Sequence, residues 1–205
     1  KGAGFLVSRR SGATDNLLVK DCVFENYYGR AIFQGRNVTV ENCVFKNGPS
    51  IPLKFQTAFT LDKWVEGRGV SNVGVRGCTF EDNNFKMGKT LGWVAEIFFG
   101  ASIDPRGGFK IPSKSCADGI LIEKNIFKNV RGLLMYANAG RNIIFRDNEI
   151  IGASSEKCSY AASIFAENVE NAYFINNLLY TDSPDACGVI VSGSKSVVAC
   201  GNALK

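Results

Sequence analysis

The sequence predicts an all-β solenoid, a parallel β-helix, and three observations carry that reading. A ten-residue unit recurs along the whole chain, its apolar residues fall two apart, and a second short apolar run follows nearly every copy. Units beginning at Asn16, Asn37, Asn72, Gly119, Asn142 and Asn171 align without gaps, and one at Ser196 fits more weakly. The start-to-start spacings are 21, 35, 47, 23, 29 and 25 residues.

Within a unit, Val38-Thr39-Val40 followed by Val44-Phe45 shows the pattern. Apolar residues alternate, a fixed small polar position interrupts them, and another apolar residue stands two further on. A period of two is that of strands, because successive side chains of a strand point to opposite faces. The runs that follow are Ala31-Ile32-Phe33, Leu53-Lys54-Phe55, Glu96-Ile97-Phe98-Phe99, Leu133-Leu134-Met135-Tyr136, Ser163-Ile164-Phe165 and Gly188-Val189-Ile190-Val191. One repeat thus holds about three short strands joined by Gly and Asn turns, and the chain about seven coils, two of them enlarged.

The fixed position holds Cys22, Cys43, Cys78, Asn125, Asn148, Asn177 and Asn202. In stacked coils these residues form a column, spaced at about 4.8 Å like strands in a sheet. An inward Asn there can bond backbone and the next Asn, and a Cys there is a small buried hydrophobe. Phe24, Phe45, Phe80, Phe127 and Ile150 form a second inward column.

Composition removes whole classes of chemistry. The 205 residues contain no His, which excludes Ser-His-Asp and Cys-His catalysis and His-containing zinc sites. No two of the seven Cys are spaced as CxxC, and neither a metal site nor a cofactor is expected. A net charge of +5 in scattered clusters is too thin for a nucleic-acid face, and no apolar run is long enough to cross a bilayer. The chain begins at Lys1 and ends in mid-repeat, so residues 1–205 are expected to form a single β-helix domain of a longer protein. Flanking coils or a protein partner are then expected to cover its open ends.

Function in a solenoid sits on its insertions and outward positions. The first insertion follows Phe55 and runs from Gln56 to Asn72. The second has two parts, from Asp82 to Glu96 and from Ala101 to Gly119. Together they carry the candidate catalytic carboxylates Asp62, Glu66, Glu96 and Asp104, and the candidate substrate-binding residues Trp64, Arg68, Trp93, Arg106 and Lys110. Indole rings stack on apolar sugar faces and carboxylates bond hydroxyls, so a polysaccharide or glycan is the expected partner. Cys158 and Cys187 occupy equivalent turns of adjacent coils, which makes them a candidate disulfide, with Cys200 as a competitor. The cysteines favour a secreted or cell-surface protein.

The pattern Asn-x-apolar-x-apolar-x-x-Asn/Cys-x-Phe closely resembles the right-handed parallel β-helix repeat of the pectin-lyase-like superfamily. A narrower resemblance covers residues 29–48, 61–84 and 119–151, which look like the later coils of alpha-1,3-galactosidase-type glycoside hydrolases, with Trp64-Val65-Glu66-Gly67 approximating a Trp-x-Glu-x-Gly loop whose final Gly is Arg68 here. That family's paired catalytic Asp residues lie in an Asp-Asp-Ala-x-Asn stretch, which this chain lacks. The resemblance therefore implies that the main catalytic carboxylates precede Lys1 and that Asp62 or Glu66 contacts substrate. Two other readings stand beside a glycoside hydrolase. One is a non-catalytic adhesin, filament or spike component; the other is a polysaccharide lyase using Arg106, Lys110 or Lys114 as base.

Overall fold

The computed structural model describes residues 6–7, 15–27, 31–33, 35–49, 51–56, 59–60, 63–64, 70–84, 95–100, 117–153, 162–180 and 188–205. Three parallel sheets of seven strands each wrap one continuous core. The first sheet holds Leu17–Lys20, Arg36–Glu41, Ser71–Arg76, Ala117–Glu123, Gly140–Arg146, Glu170–Ile175 and Lys195–Cys200. The second holds Val23–Glu25, Val44–Lys46, Thr79–Glu81, Ile126–Val130, Glu149–Ala153, Leu178–Tyr180 and Ala203–Leu204. The third holds Leu6–Val7, Ala31–Phe33, Leu53–Gln56, Ala95–Gly100, Leu133–Asn138, Ile164–Glu167 and Val189–Ser192. Each strand between the two ends of its sheet pairs with its equivalents one coil before and one coil after, which defines a parallel β-helix.

Alternation sets the interior. Val38 and Val40, Val73 and Val75, Ile120 and Ile122, and Ile143 and Phe145 all point inward from the first sheet. In the second sheet Phe24, Phe45, Phe80 and Phe127 stack with ring centroids 5.0, 5.2 and 4.9 Å apart, and Ile150 continues the column. The third sheet adds a stack that the repeat unit does not contain, Phe33–Phe55–Phe99, at 5.1 and 4.8 Å.

Between the first two sheets the chain turns in two residues. The first takes a left-handed φ, as at Asp21, Asn42, Gly77, Lys124, Asp147, Asn176 and Gly201. Asp and Asn tolerate this region because the short polar side chain bonds locally, and Gly has no Cβ to clash. The second residue is the column residue. Asn125 accepts the N–H of Cys78 at 2.9 Å, Asn148 that of Asn125 at 3.0 Å, Asn177 that of Asn148 at 3.1 Å, and Asn202 that of Asn177 at 2.9 Å. Each Asn Nδ2 also donates to a carbonyl of the coil before, from Asn148 to Ile122 at 3.2 Å and from Asn177 to Phe145 at 3.1 Å. In the earlier coils thiols stand in, with Cys78 Sγ accepting the Cys43 N–H at 3.5 Å.

The outer faces of the first two sheets carry charges matched between neighbouring coils. Lys20 pairs with Glu41 at 3.0 Å, Lys46 with Glu25 at 3.1 Å, Arg141 with Asp118 at 2.8 Å and Arg146 with Glu123 at 2.7 Å. Exposed pairs of this kind stabilise little, about 0–1 kcal/mol each, but they occupy cations that a polyanion would otherwise meet.

The column predicts a graded response. Asn148→Ala leaves the Asn125 N–H and the Ile122 carbonyl buried and unpartnered, so it should cost about 2–4 kcal/mol in urea unfolding. Asn148→Cys should cost less, because a thiol already takes a backbone N–H at Cys78. Equal losses for the two variants would mean that the carboxamide bonds contribute only volume.

Candidate functional site

Both parts of the solenoid that break the repeat border the third sheet. Gln56 and Gly100 pair in register, so the connections 57–70 and 101–116 leave that sheet from adjacent rungs at the same end. The equivalent corner is crossed within a few residues elsewhere, from Phe33 to Arg36, Asn138 to Gly140, Glu167 to Glu170 and Ser192 to Lys195. At the sheet's other edge a long connection joins Glu81 to Ala95. Within the first insertion Phe59–Thr60 pairs antiparallel with Lys63–Trp64. The first sheet also reaches further into the insertions than the repeat suggests. The Ser71 and Asp118 N–H groups bond Gly35 and Val70 carbonyls at 3.1 and 3.0 Å, so its strands start at Ser71 and Ala117.

Of the residues singled out from sequence, Asp62, Glu66, Arg68, Trp93, Asp104, Arg106, Lys110, Cys158 and Cys187 lie outside the described residues, and Trp64 is described only as strand backbone. Glu96 is described, and its partners come from the protein itself. It stands at the start of its strand, level with Pro52 in the coil before and Leu134 in the coil after, and is 2% exposed. Asn83 Nδ2 donates to Glu96 Oε2 at 3.0 Å and Asn84 Nδ2 to Oε1 at 2.8 Å. Asn83 Oδ1 in turn accepts the Tyr27 hydroxyl at 2.8 Å and the Gly48 N–H at 3.0 Å, while its Nδ2 also reaches the Phe45 carbonyl at 3.0 Å. Tyr27 gets to Asn83 by lying over Gly48, where an added Cβ would fall 2.0 Å from the ring. This is a buried polar strut tying three coils together at the corner, with its partners supplied by the protein itself. Asn83 and Asn84, read from sequence as part of the insertion, belong to that strut because both are fully buried.

Burial pushes the Glu96 carboxyl up from 4.5 to about 7, against the opposing pull of the two Asn donors and of Arg131, which is itself paired with Asp82 at 3.2 Å. The Asn84 Oδ1 accepts no hydrogen bond, so a rotated amide can receive a proton carried by a neutral Glu96. The thiols are equally withdrawn. Burial raises Cys43 and pushes Cys78 up to about 12, which keeps both protonated and unreactive at neutral pH. Among the described residues no three His, Cys, Asp or Glu side chains converge as metal ligands.

A different set of residues faces outward from the third sheet. Phe98, Tyr136, Phe165 and Ile190 lie side by side in register, with ring centroids 5.4 and 5.5 Å apart across the three aromatics. Phe98 and Tyr136 are buried, whereas Phe165 and Ile190 are partly exposed. At the end of the row the Tyr136 hydroxyl donates to Glu167 Oε2 at 2.6 Å, and Asn138 Nδ2 donates to the Tyr136 oxygen at 3.4 Å. Burial first, then Glu167, hold the tyrosine proton in place. The signal for these residues is present in the chain: Phe98, Tyr136 and Phe165 are out of phase with the inward Ile97, Met135 and Ile164.

Glu96 makes stability depend on pH. Its proton is held to a higher pH in the folded state than in the unfolded chain, so its stabilising effect is complete below about pH 4.5 and is lost as pH rises through about 7. Glu96→Gln should abolish that loss. The variant should unfold in urea like the parent at pH 4.5 and be more stable by about 3 kcal/mol at pH 8. A parent and variant with parallel pH profiles would contradict the assignment.

No curated protein matches the chain. The sequence profile described as "Right handed beta helix region" matches residues 4–204. That span takes in all three sheets, and the chain therefore belongs to the right-handed β-helix family.

Proposed function

We propose that the chain is the loop-bearing part of an extracellular, carbohydrate-active β-helix protein, most simply a glycoside hydrolase. One observation carries the reading: an aromatic row ending in a carboxylate, Phe98–Tyr136–Phe165 with Glu167, lies on the outer face of the sheet that both insertions border, with Phe165 its partly exposed ring. Flat apolar rings match the C–H faces of sugars, and a carboxylate at their margin matches hydroxyls. The first and second sheets differ in carrying charge pairs between coils beside their outward apolar residues, such as Leu18 and Tyr173, and no outward run of stacked rings among the described residues.

Hydrolysis with inversion needs two carboxylates about 6.5–9.5 Å apart, one protonated as acid and one activating water. Glu96 is excluded from that pair by its burial. Asp62, Glu66 and Asp104 remain, all on the connections that leave the third sheet at one end. The resemblance to alpha-1,3-galactosidase-type enzymes makes an α-linked galactoside the first substrate to try. No step of this mechanism calls for a cofactor.

The test is a screen of the purified chain, and of its full-length parent protein, against galactosides and other oligosaccharides. Reducing ends are quantified, and the anomer first released is read by NMR. Turnover with inversion is expected. Asp62→Asn, Glu66→Gln and Asp104→Asn then identify the pair, whose loss should lower kcat by about a hundredfold or more. Products absorbing near-ultraviolet light would show a lyase instead. Glycan binding without turnover by either protein would show an adhesin-like role.

A further inference from the structure

We propose that the C-terminal half of this aromatic row, around Phe165, Glu167 and Asn138, is a subsite for an uncharged sugar and rejects uronates. The inference rests on the glycan reading above and adds the chemical class of the ligand.

Among the described residues, this half of the row offers hydrogen-bond acceptors and no cation. The third-sheet strands Ala95–Gly100, Leu133–Asn138, Ile164–Glu167 and Val189–Ser192 contain no Lys or Arg, and Glu96 and Glu167 are their only acids. With Glu96 buried, Glu167 is the one charge on these four strands among the described residues, and Lys54 stands in register with Phe98 at the far end of the row. Arg131, at the opposite end of the strand, is held by Asp82, and Arg141, three residues beyond Asn138, by Asp118.

The hydrogen bonds fix which atoms are left for a ligand. Tyr136 has one hydroxyl proton and gives it to Glu167 Oε2, so the Tyr136 oxygen can only accept from Asn138. Asn138 must therefore present Nδ2 to Tyr136, which leaves its Oδ1 as an acceptor. That Oδ1 is buried and has no donor, although Asn138 is only 1% exposed. An unfilled buried acceptor costs free energy, and Asn138 is paired in register with Glu167, whose Oε1 is the second acceptor. Two neighbouring acceptors beside the partly exposed faces of Phe165 and Ile190 call for a ligand with adjacent hydroxyl donors and an apolar face. A neutral hexose has both. A uronate would instead bring its carboxylate against Glu167, with no cation beside it among the described residues of this half of the row.

The experiment is calorimetric or saturation-transfer NMR titration of the chain with neutral galacto-, gluco- and manno-oligosaccharides and with an oligogalacturonide of equal length. At least one neutral series should bind, with the oligogalacturonide weaker by tenfold or more. Glu167→Gln and Phe165→Ala should each weaken the neutral ligand by roughly tenfold. Melting temperature is read alongside, and Glu167→Gln is retained as the deciding variant if Phe165→Ala unfolds. Neutral-sugar binding that Glu167→Gln leaves unchanged, or oligogalacturonide binding as tightly as the neutral series, overturns this subsite while leaving the glycan reading intact. Failure of every glycan to bind overturns both.

Discussion

The rest of the molecule depends on one contact repeated along the axis, in which the column residue of one coil accepts the backbone N–H of the column residue before it. A carboxamide suits this position because it accepts and donates in the same plane, so an identical residue one coil away completes it. The bonds from Cys78 through Asn202 form a line in which each coil fixes the height and rotation of its neighbour. Register in all three sheets follows, since a one-residue slip would turn every inward side chain out.

The column changes character along the solenoid, and the core changes with it. Where it holds Cys22, Cys43 and Cys78, the residue two further on is Phe24, Phe45 and Phe80, and their rings stack face to face. Where it holds Asn148, Asn177 and Asn202, that residue is Ile150, Leu179 and Leu204. Asn125 with Phe127 marks the crossover. The coils whose polar bonds are weakest thus have aromatic rings inside the second sheet, whereas those with complete carboxamide bonds have aliphatic residues there and take their rings, Phe145 and Phe174, from the first sheet. Stacked rings constrain rotation as an amide ladder does, so the two devices substitute for one another.

Much of this is legible in the residues, and asparagine shows where legibility stops. Twelve Asn residues, from Asn16 to Asn176, take a left-handed φ at the corners and bends, and Asn125, Asn148, Asn177 and Asn202 make the ladder. Both roles repeat with the unit, which is why the pattern reveals them. The remaining two, Asn83 and Asn138, do not repeat. One holds the Tyr27–Glu96 strut and the other stands beside Tyr136 and Glu167. Each depends on partners in other coils, so sequence position alone does not identify it. Glu96 is a further case: it falls beside an insertion, and only its rung level with Leu134 shows that it is turned inward. The candidate site was therefore legible as a region, the enlarged coils, and not as the outward row that the register builds on the third sheet.

The most direct test of this account is amide hydrogen exchange at the column itself. If each column residue caps the one before it, the N–H groups of Cys78, Asn125, Asn148 and Asn177 should exchange as slowly as those of sheet residues such as Ile143 and Phe145, despite lying in turns. Exchange of these four amides at the rate of an unstructured chain would contradict it.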